Sequence, residues 1–206
     1  MKGFSMLKKV FSLIKNQYEI RKYTNYNIAE YFRMQGAQIG EDCFFSIRTL
    51  SSEPFLIKIG NHVGVASGVQ FLTHSLGWSF RDRIPDLQVF GKIVIGNNCN
   101  IGVNAIILPN VTIGDNCVIA AGAIVIKDIP SNSIVAGVPG KVIGNTDDYF
   151  EKARKTWEAQ KPEGYLAELQ PGKTYSPAYF DSVRSKPEYR KLLRNHLTKL
   201  FWGEER

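Results

Sequence analysis

At 206 residues the chain holds about one ordinary domain with terminal elements, which excludes a second large catalytic domain. Apolar residues at 44% and charged residues at 22% lie near the averages of soluble globular chains and exclude wholesale disorder or a fibrous protein. The net charge of +7 is unevenly spread, with seven Lys and Arg against two Asp and Glu in residues 1–36, seven against seven in 37–144, and twelve against ten in 145–206. The central body is therefore neutral and lacks the clustered positive face that nucleic acid requires.

The first predicted element is a helix over residues 4–34, with Leu7, Val10, Phe11, Ile14 and Tyr18 on one stripe and Lys8, Lys9 and Lys15 elsewhere. Such a stripe packs on its own protein or, being basic, makes a peripheral contact with an anionic membrane surface. The five-residue run 10–14 is too short for a secretory signal, and no stretch of about 18 apolar residues is present to span a bilayer. The chain reads as cytoplasmic. Its three cysteines, Cys43, Cys99 and Cys117, have no metal-ligand spacing and cannot all pair, so reduced, buried thiols are expected.

From residue 37 the pattern changes to a repeat. Ile39-Gly40, Cys43 and Phe45 begin it, and Ile59, Val65 and Phe71 continue it with Val63 and Val69 between them. From residue 95 a branched apolar residue recurs every six positions, at Ile95, Ile101, Ile107, Ile113, Ile119 and Val125. A second series of small or apolar residues follows four positions later, at Cys99, Ala105, Val111, Cys117, Ala123 and Ile129. A period of six fits neither a 3.6-residue helix nor a long alternating strand. It fits strands of two or three residues joined by tight corners, about 18 residues closing one three-sided coil, with Gly and Asn at the corners.

Residues 75–92 (SLGWSFRDRIPDLQVFGK) lack the period and leave the coil as a loop, and loops on rigid scaffolds concentrate binding chemistry. Trp78, Arg81 and Asp82 in this loop are candidate acceptor-binding residues, suited to a sugar, an amine or a phosphate. Beyond the repeat, residues 147–160 and 182–202 have helical composition, and 161–177, rich in Gly and Pro, reads as a loop. The chain thus divides into an N-terminal helical segment (1–36), a repeat domain (37–144) with its extruded loop, and a C-terminal helical extension (145–206).

The stretch 110–143, NVTIGDNCVIAAGAIVIKDIPSNSIVAGVPGKVI, resembles the closing coil of the hexapeptide-repeat acyltransferases, among them sugar, xenobiotic, and capsule or lipopolysaccharide acetyltransferases. The resemblance covers roughly residues 37–144. It implies a left-handed parallel β-helix, a homotrimer, and acetyl-CoA as co-substrate without a metal. It also implies a coenzyme track in a cleft between subunits, with the backbone of Ala121 and Gly122 on the pantetheine arm and Val103 one coil earlier. Lys127 would lie at the phosphate end, and Pro139 and Lys141 beside the adenine. Val103 and Ile126 stand where serine and threonine are frequent, so these two positions offer backbone contacts only.

Three histidines compete for the role of base. His196 lies in a charged segment with helical leucine spacing and reads as a surface or packing residue. His62 sits at a corner of an uninterrupted coil. His74 has the same phase, three residues after Phe71 as His62 is three after Ile59, so spacing does not separate them. The adjoining loop and the resemblance single out His74 as the general base that takes a proton from the acceptor, a task for which imidazole is well matched near neutral pH. The expected reaction is O-acetylation of a sugar or polysaccharide precursor. The alternatives are N-acetylation of an amino sugar or antibiotic-type acceptor, a non-catalytic scaffold, and a zinc enzyme, which would need all three histidines to converge.

Overall fold

Branched apolar residues spaced by six make very short strands, because each strand ends as soon as the chain must turn a corner. The computed structural model describes residues 18–170, 172–173 and 175–203. In chain order the strands are β1 (Gln38–Ile39), β2 (Phe44–Phe45), β3 (Ile57–Ile59), β4 (Gly64–Val65) and β5 (Gln70–Phe71). After these come β6 (His74–Leu76), β7 (Gln88–Phe90), β8 (Ile93–Ile95), β9 (Asn100–Ile101) and β10 (Ile106–Ile107). The series closes with β11 (Thr112–Ile113), β12 (Val118–Ile119), β13 (Ile124–Val125), β14 (Ser133–Ala136) and β15 (Lys141–Asn145).

Thirteen of these strands form three sheets: a first in the order β1-β3-β8-β11, a second in the order β2-β4-β9-β12-β14-β15, and a third in the order β5-β10-β13. From β3 to β13, the β6–β7 pair aside, successive strands fall to the three sheets in turn, so the chain winds past three faces around one interior. Ile95 pairs with Ile113, Ile101 with Ile119 and Ile107 with Val125, all in parallel and each 18 residues on. Ile59 pairs with Ile95 and Phe71 with Ile107 at a separation of 36, so the insertion between them occupies the length of one coil and leaves the phase intact.

Both sixfold series are buried. Ile95 through Val125 are at most 1% exposed, and Cys99, Ala105, Val111, Cys117 and Ala123 at most 2%. At about 1.5–3 kcal/mol for each large apolar side chain, this column supplies most of the favourable free energy of the coil. The thiols follow the expectation of buried packing: burial pushes Cys99 up to about 11 and raises Cys43 and Cys117 as well. The corner between the first and second sheets is a column of left-handed residues, Asp42, His62, Asn98, Asn116 and Asn132, with φ of 54° to 62°. Asn98 donates to Asn116 and Asn116 to Asn132, at 3.0 and 2.9 Å, so the side chains form a ladder up this corner.

The insertion is more ordered than a loop. β6 and β7 pair antiparallel, His74 opposite Phe90, and a 3-10 turn at Trp78–Phe80 lies at the tip. The Gly91 N–H donates to the Thr73 carbonyl at 2.8 Å and closes the base of this hairpin.

The expected continuous helix over 4–34 is interrupted. Residues 4–17, including the stripe proposed for membrane contact, lie outside the described residues apart from Tyr18, which is exposed. Residues 18–20 are helical, the chain then turns, and helix α1 runs from Ile28 to Met34. The cause is local: the Asn27 side chain accepts from both the backbone N–H and the hydroxyl of Thr24, at 2.7 and 3.0 Å, and this competes with the helical ladder. Ile28 and Phe32 of α1 are fully buried in the coil's core, and Phe32 packs edge-on against Phe45.

Two units divide the chain, Met1–Gly144 and Asn145–Arg206. The second contains α2 (Thr146–Gln160), α3 (Pro177–Arg184) and α4 (Pro187–Trp202). The single helix expected over 182–202 is two, because Pro187 disfavours helical backbone at the residue before it and restarts the helix. Trp157, Tyr165 and Tyr189 stack edge to face in this unit.

Candidate active site

The third sheet begins one coil later than the other two. Residues 46–52 run past the place of a first strand without pairing, so β10 is the sole sheet partner of β5. A groove of about 580 Å³ remains between residues 46–52 and 68–74, with His74 among its lining residues. His74 therefore stands where three features meet: the corner between the third and first sheets, the base of the hairpin, and the groove.

Its ring is held by a residue that sequence reasoning did not find. Nδ1 of His74 lies 2.8 Å from Oε2 of Glu53, and the two side chains are only 29% and 17% exposed. The same carboxylate oxygen accepts from the Thr73 hydroxyl, which is 1% exposed, and the Thr73 oxygen lies 2.6 Å from that of Ser51. Because Thr73 gives its single hydroxyl proton to Glu53, Ser51 donates to Thr73. The Thr73 hydroxyl, against the opposing effect of burial and followed by the His74 ring, holds the Glu53 carboxyl below its ordinary value of 4.5. An ionised Glu53 accepts the Nδ1 proton of a neutral imidazole and fixes the tautomer whose Nε2 carries the free lone pair. Phe90 packs beside the ring at 5.9 Å between centroids. This is an imidazole oriented by a carboxylate, an arrangement able to take a proton from a hydroxyl or amine.

His62, in the same phase of the repeat, has a different fate. It takes a left-handed backbone at the corner between the first and second sheets and meets Asp42 at 3.2 Å in solvent. His196 lies on α4, in the other unit, with Nε2 buried and no hydrogen-bond partner among the described residues. The metal alternative needs three converging imidazoles; His62 and His74 occupy different corners, and no group of three metal-ligating side chains occurs among the described residues.

The candidate coenzyme residues divide between two corners. Val103, Ala121 and Gly122 stack at the corner between the second and third sheets, where the Gly122 N–H donates to the Val103 carbonyl at 2.8 Å and Gly122 has φ of 71°. An added Cβ at Gly122 would meet nothing within 4 Å, so this backbone is open. Pro139, after a cis peptide bond, and Lys141 follow the same corner one coil on, and both are exposed. Lys127 lies instead at the corner between the third and first sheets, two coils beyond His74. Trp78, Arg81 and Asp82 sit together at the hairpin tip, with the Arg81 guanidinium 4.1 Å from the centroid of the Trp78 ring. Trp78 is 70% exposed and Phe80 50%.

Comparison with known proteins gives this geometry a context. Residues 92–127 match the bacterial transferase hexapeptide model (six repeats). The chain is 50% identical over 137 residues to protein CapG of Staphylococcus aureus, covering 65% of this chain and 80% of that one. It is 38% identical over 112 residues to the galactoside O-acetyltransferase of Escherichia coli (strain K12), covering 53% and 54%. Among solved structures, galactoside acetyltransferase in complex with coenzyme A aligns with a TM-score of 0.51 and 28% identity, covering 70% of this chain and 84% of that one.

Proposed function

The chain belongs to the bacterial hexapeptide-repeat transferases, and from that premise we propose that it is an acetyltransferase moving the acetyl group of acetyl-CoA to a hydroxyl of a sugar or polysaccharide precursor. The coil is then a left-handed parallel β-helix. The observation that carries the reading is the Glu53–His74 pair beside an open groove. Nε2 of His74 takes the proton of the acceptor hydroxyl as its oxygen attacks the thioester carbonyl. The tetrahedral intermediate collapses with cleavage of the C–S bond, and the imidazolium returns the proton to the departing sulfur, giving the acetyl ester and free coenzyme A. Direct transfer is favoured over an acyl-enzyme because the three thiols are buried and raised above their ordinary values.

Within one chain His74 and the Val103–Gly122 column occupy different corners of the coil, so a second copy is needed to bring the coenzyme track to the imidazole. A homotrimer meets this requirement with one cleft at each subunit boundary. The three reduced thiols fit a cytoplasmic location, where disulfides are rare. Acetyl-CoA itself supplies the activated acyl group; this chain supplies the base, its orientation and the exposed backbone amides.

His74→Ala tests the reading. Acetyl transfer falls by at least about 10²-fold, the usual share of a placed general base, while acetyl-CoA still raises Tm because the track is intact. Retained turnover in that variant removes His74 from the mechanism. Light scattering at working concentration should report three copies.

A further inference from the structure

The groove that reaches His74 has a cation of its own. Arg48 lines it and also lines a second groove that shares Thr49, Ser51 and Ser52 with it and is bounded by Arg21, Tyr31 and Phe55. Nη2 of Arg48 donates to Oδ1 of Asn25 at 2.8 Å, which anchors the guanidinium and engages one of its five N–H donors. No carboxylate lies within ion-pair distance of it among the described residues, whereas Arg33, Arg154 and Arg184 each pair with an acid. Thr49 and Ser52 of the same segment line both grooves as well.

A neutral saccharide seated in this groove would cover an anchored guanidinium without satisfying it, whereas an anionic group on the saccharide would accept two parallel charge-assisted hydrogen bonds from the fork. Resting on the acetyltransferase reading, we infer that the acceptor is an acidic saccharide, whose carboxylate or phosphate is held by Arg48 while the hydroxyl to be acetylated is presented to His74. Arg48 is then a specificity residue; the ester-forming step is unchanged.

The test uses the full chain and three matched probes: methyl galacturonide for a carboxylate, galactose 6-phosphate for a phosphate, and methyl galactoside as the neutral reference. Binding is measured by calorimetry on protein saturated with coenzyme A, where no chemistry occurs, and transfer is measured with acetyl-CoA. At least one acidic probe should bind about 10-fold or more tightly than the neutral one, less so in high salt, and whichever prevails identifies the anion. In Arg48→Gln this preference falls by about 10- to 100-fold, and Arg48→Lys restores part of it. A lowered Tm with equal loss for all three probes would mean that Arg48 only ties Asn25 to the coil, and the inference fails. So does the absence of any preference for either acidic probe in the unaltered protein. Arg48-dependent binding of an acidic probe without acetyl uptake would mean a saccharide site that is not the acceptor site, and the inference fails while the transferase reading is left to the His74→Ala assay.

Discussion

Replacing Glu53 with alanine separates what its carboxylate does for the fold from what it does for the imidazole. In the fold, the carboxylate accepts from the Thr73 hydroxyl, which is 1% exposed, and that hydroxyl is also linked to Ser51. Without Glu53, Thr73 can turn its proton back to Ser51, and Ser51 lines the open groove, so one hydroxyl is re-satisfied and the other is left to solvent. The stability cost therefore falls at the low end of the range for a lost buried partner, about 1 kcal/mol, or a Tm lower by about 2–4 °C for a chain of this size. The imidazole, by contrast, loses the acceptor that fixes its tautomer and steadies the imidazolium. The expected fall in kcat is about 10²-fold, with KM for acetyl-CoA unchanged because Glu53 is not among the residues proposed to hold the coenzyme. Release of free thiol from acetyl-CoA, followed with the best acceptor of the unaltered protein, reads the rate, and calorimetry reads Tm. A variant with the expected Tm loss and kcat within threefold of the original, roughly 0.6 kcal/mol, would refute the orienting role of Glu53.

The same carboxylate gives a pH signature. Its native pKa lies below the ordinary 4.5, so its contribution to stability is present above about pH 5 and disappears as pH falls through the native value; the Tm gap between the unaltered protein and Glu53→Ala should narrow on acidification. Gly102→Ala places a Cβ 2.6 Å from the Ala121 nitrogen and 2.7 Å from the Ile119 carbonyl oxygen, and thermal unfolding should show a loss of about 1–3 kcal/mol. Gly144→Ala, which meets nothing within 4 Å at a φ outside the left-handed region, should leave Tm unchanged or slightly raised. A disulfide reagent at pH 8 should label none of the three cysteines in the native protein and all three in denaturant; rapid native labelling would contradict their burial.

The coil was legible because its rule is written at single positions. Each of Ile95 through Val125 names its own depth in the structure, and the spacing of 18 names its partner. Glu53 was not legible by the same rule, since it meets His74 across 21 residues in a coil where the spacing of 18 slips. Ile39 pairs with Ile59, 20 residues on, and the two extra residues fall in the segment that contains Ser51–Glu53. That surplus, beside a lone acid in an apolar stretch, was the available signal. The hairpin was read as a loop because three residues on each side carry too little alternation to declare a strand, and pairing between His74 and Phe90 is a property of closure. The helix breaks at Thr24–Asn27 and before Pro187 were local and readable, the first from side chains that compete for the backbone, the second from the imino acid itself.

The excursion between Thr73 and Gly91 departs and returns at one rung, joined there by a single hydrogen bond, and the winding above it resumes as though nothing had intervened. The frame therefore asks only that the two ends of such an excursion meet; it dictates neither their length nor their content. Hairpins of other composition can be transplanted into this socket like cartridges, changing what is offered to the imidazole while the rungs that bear the load stay untouched.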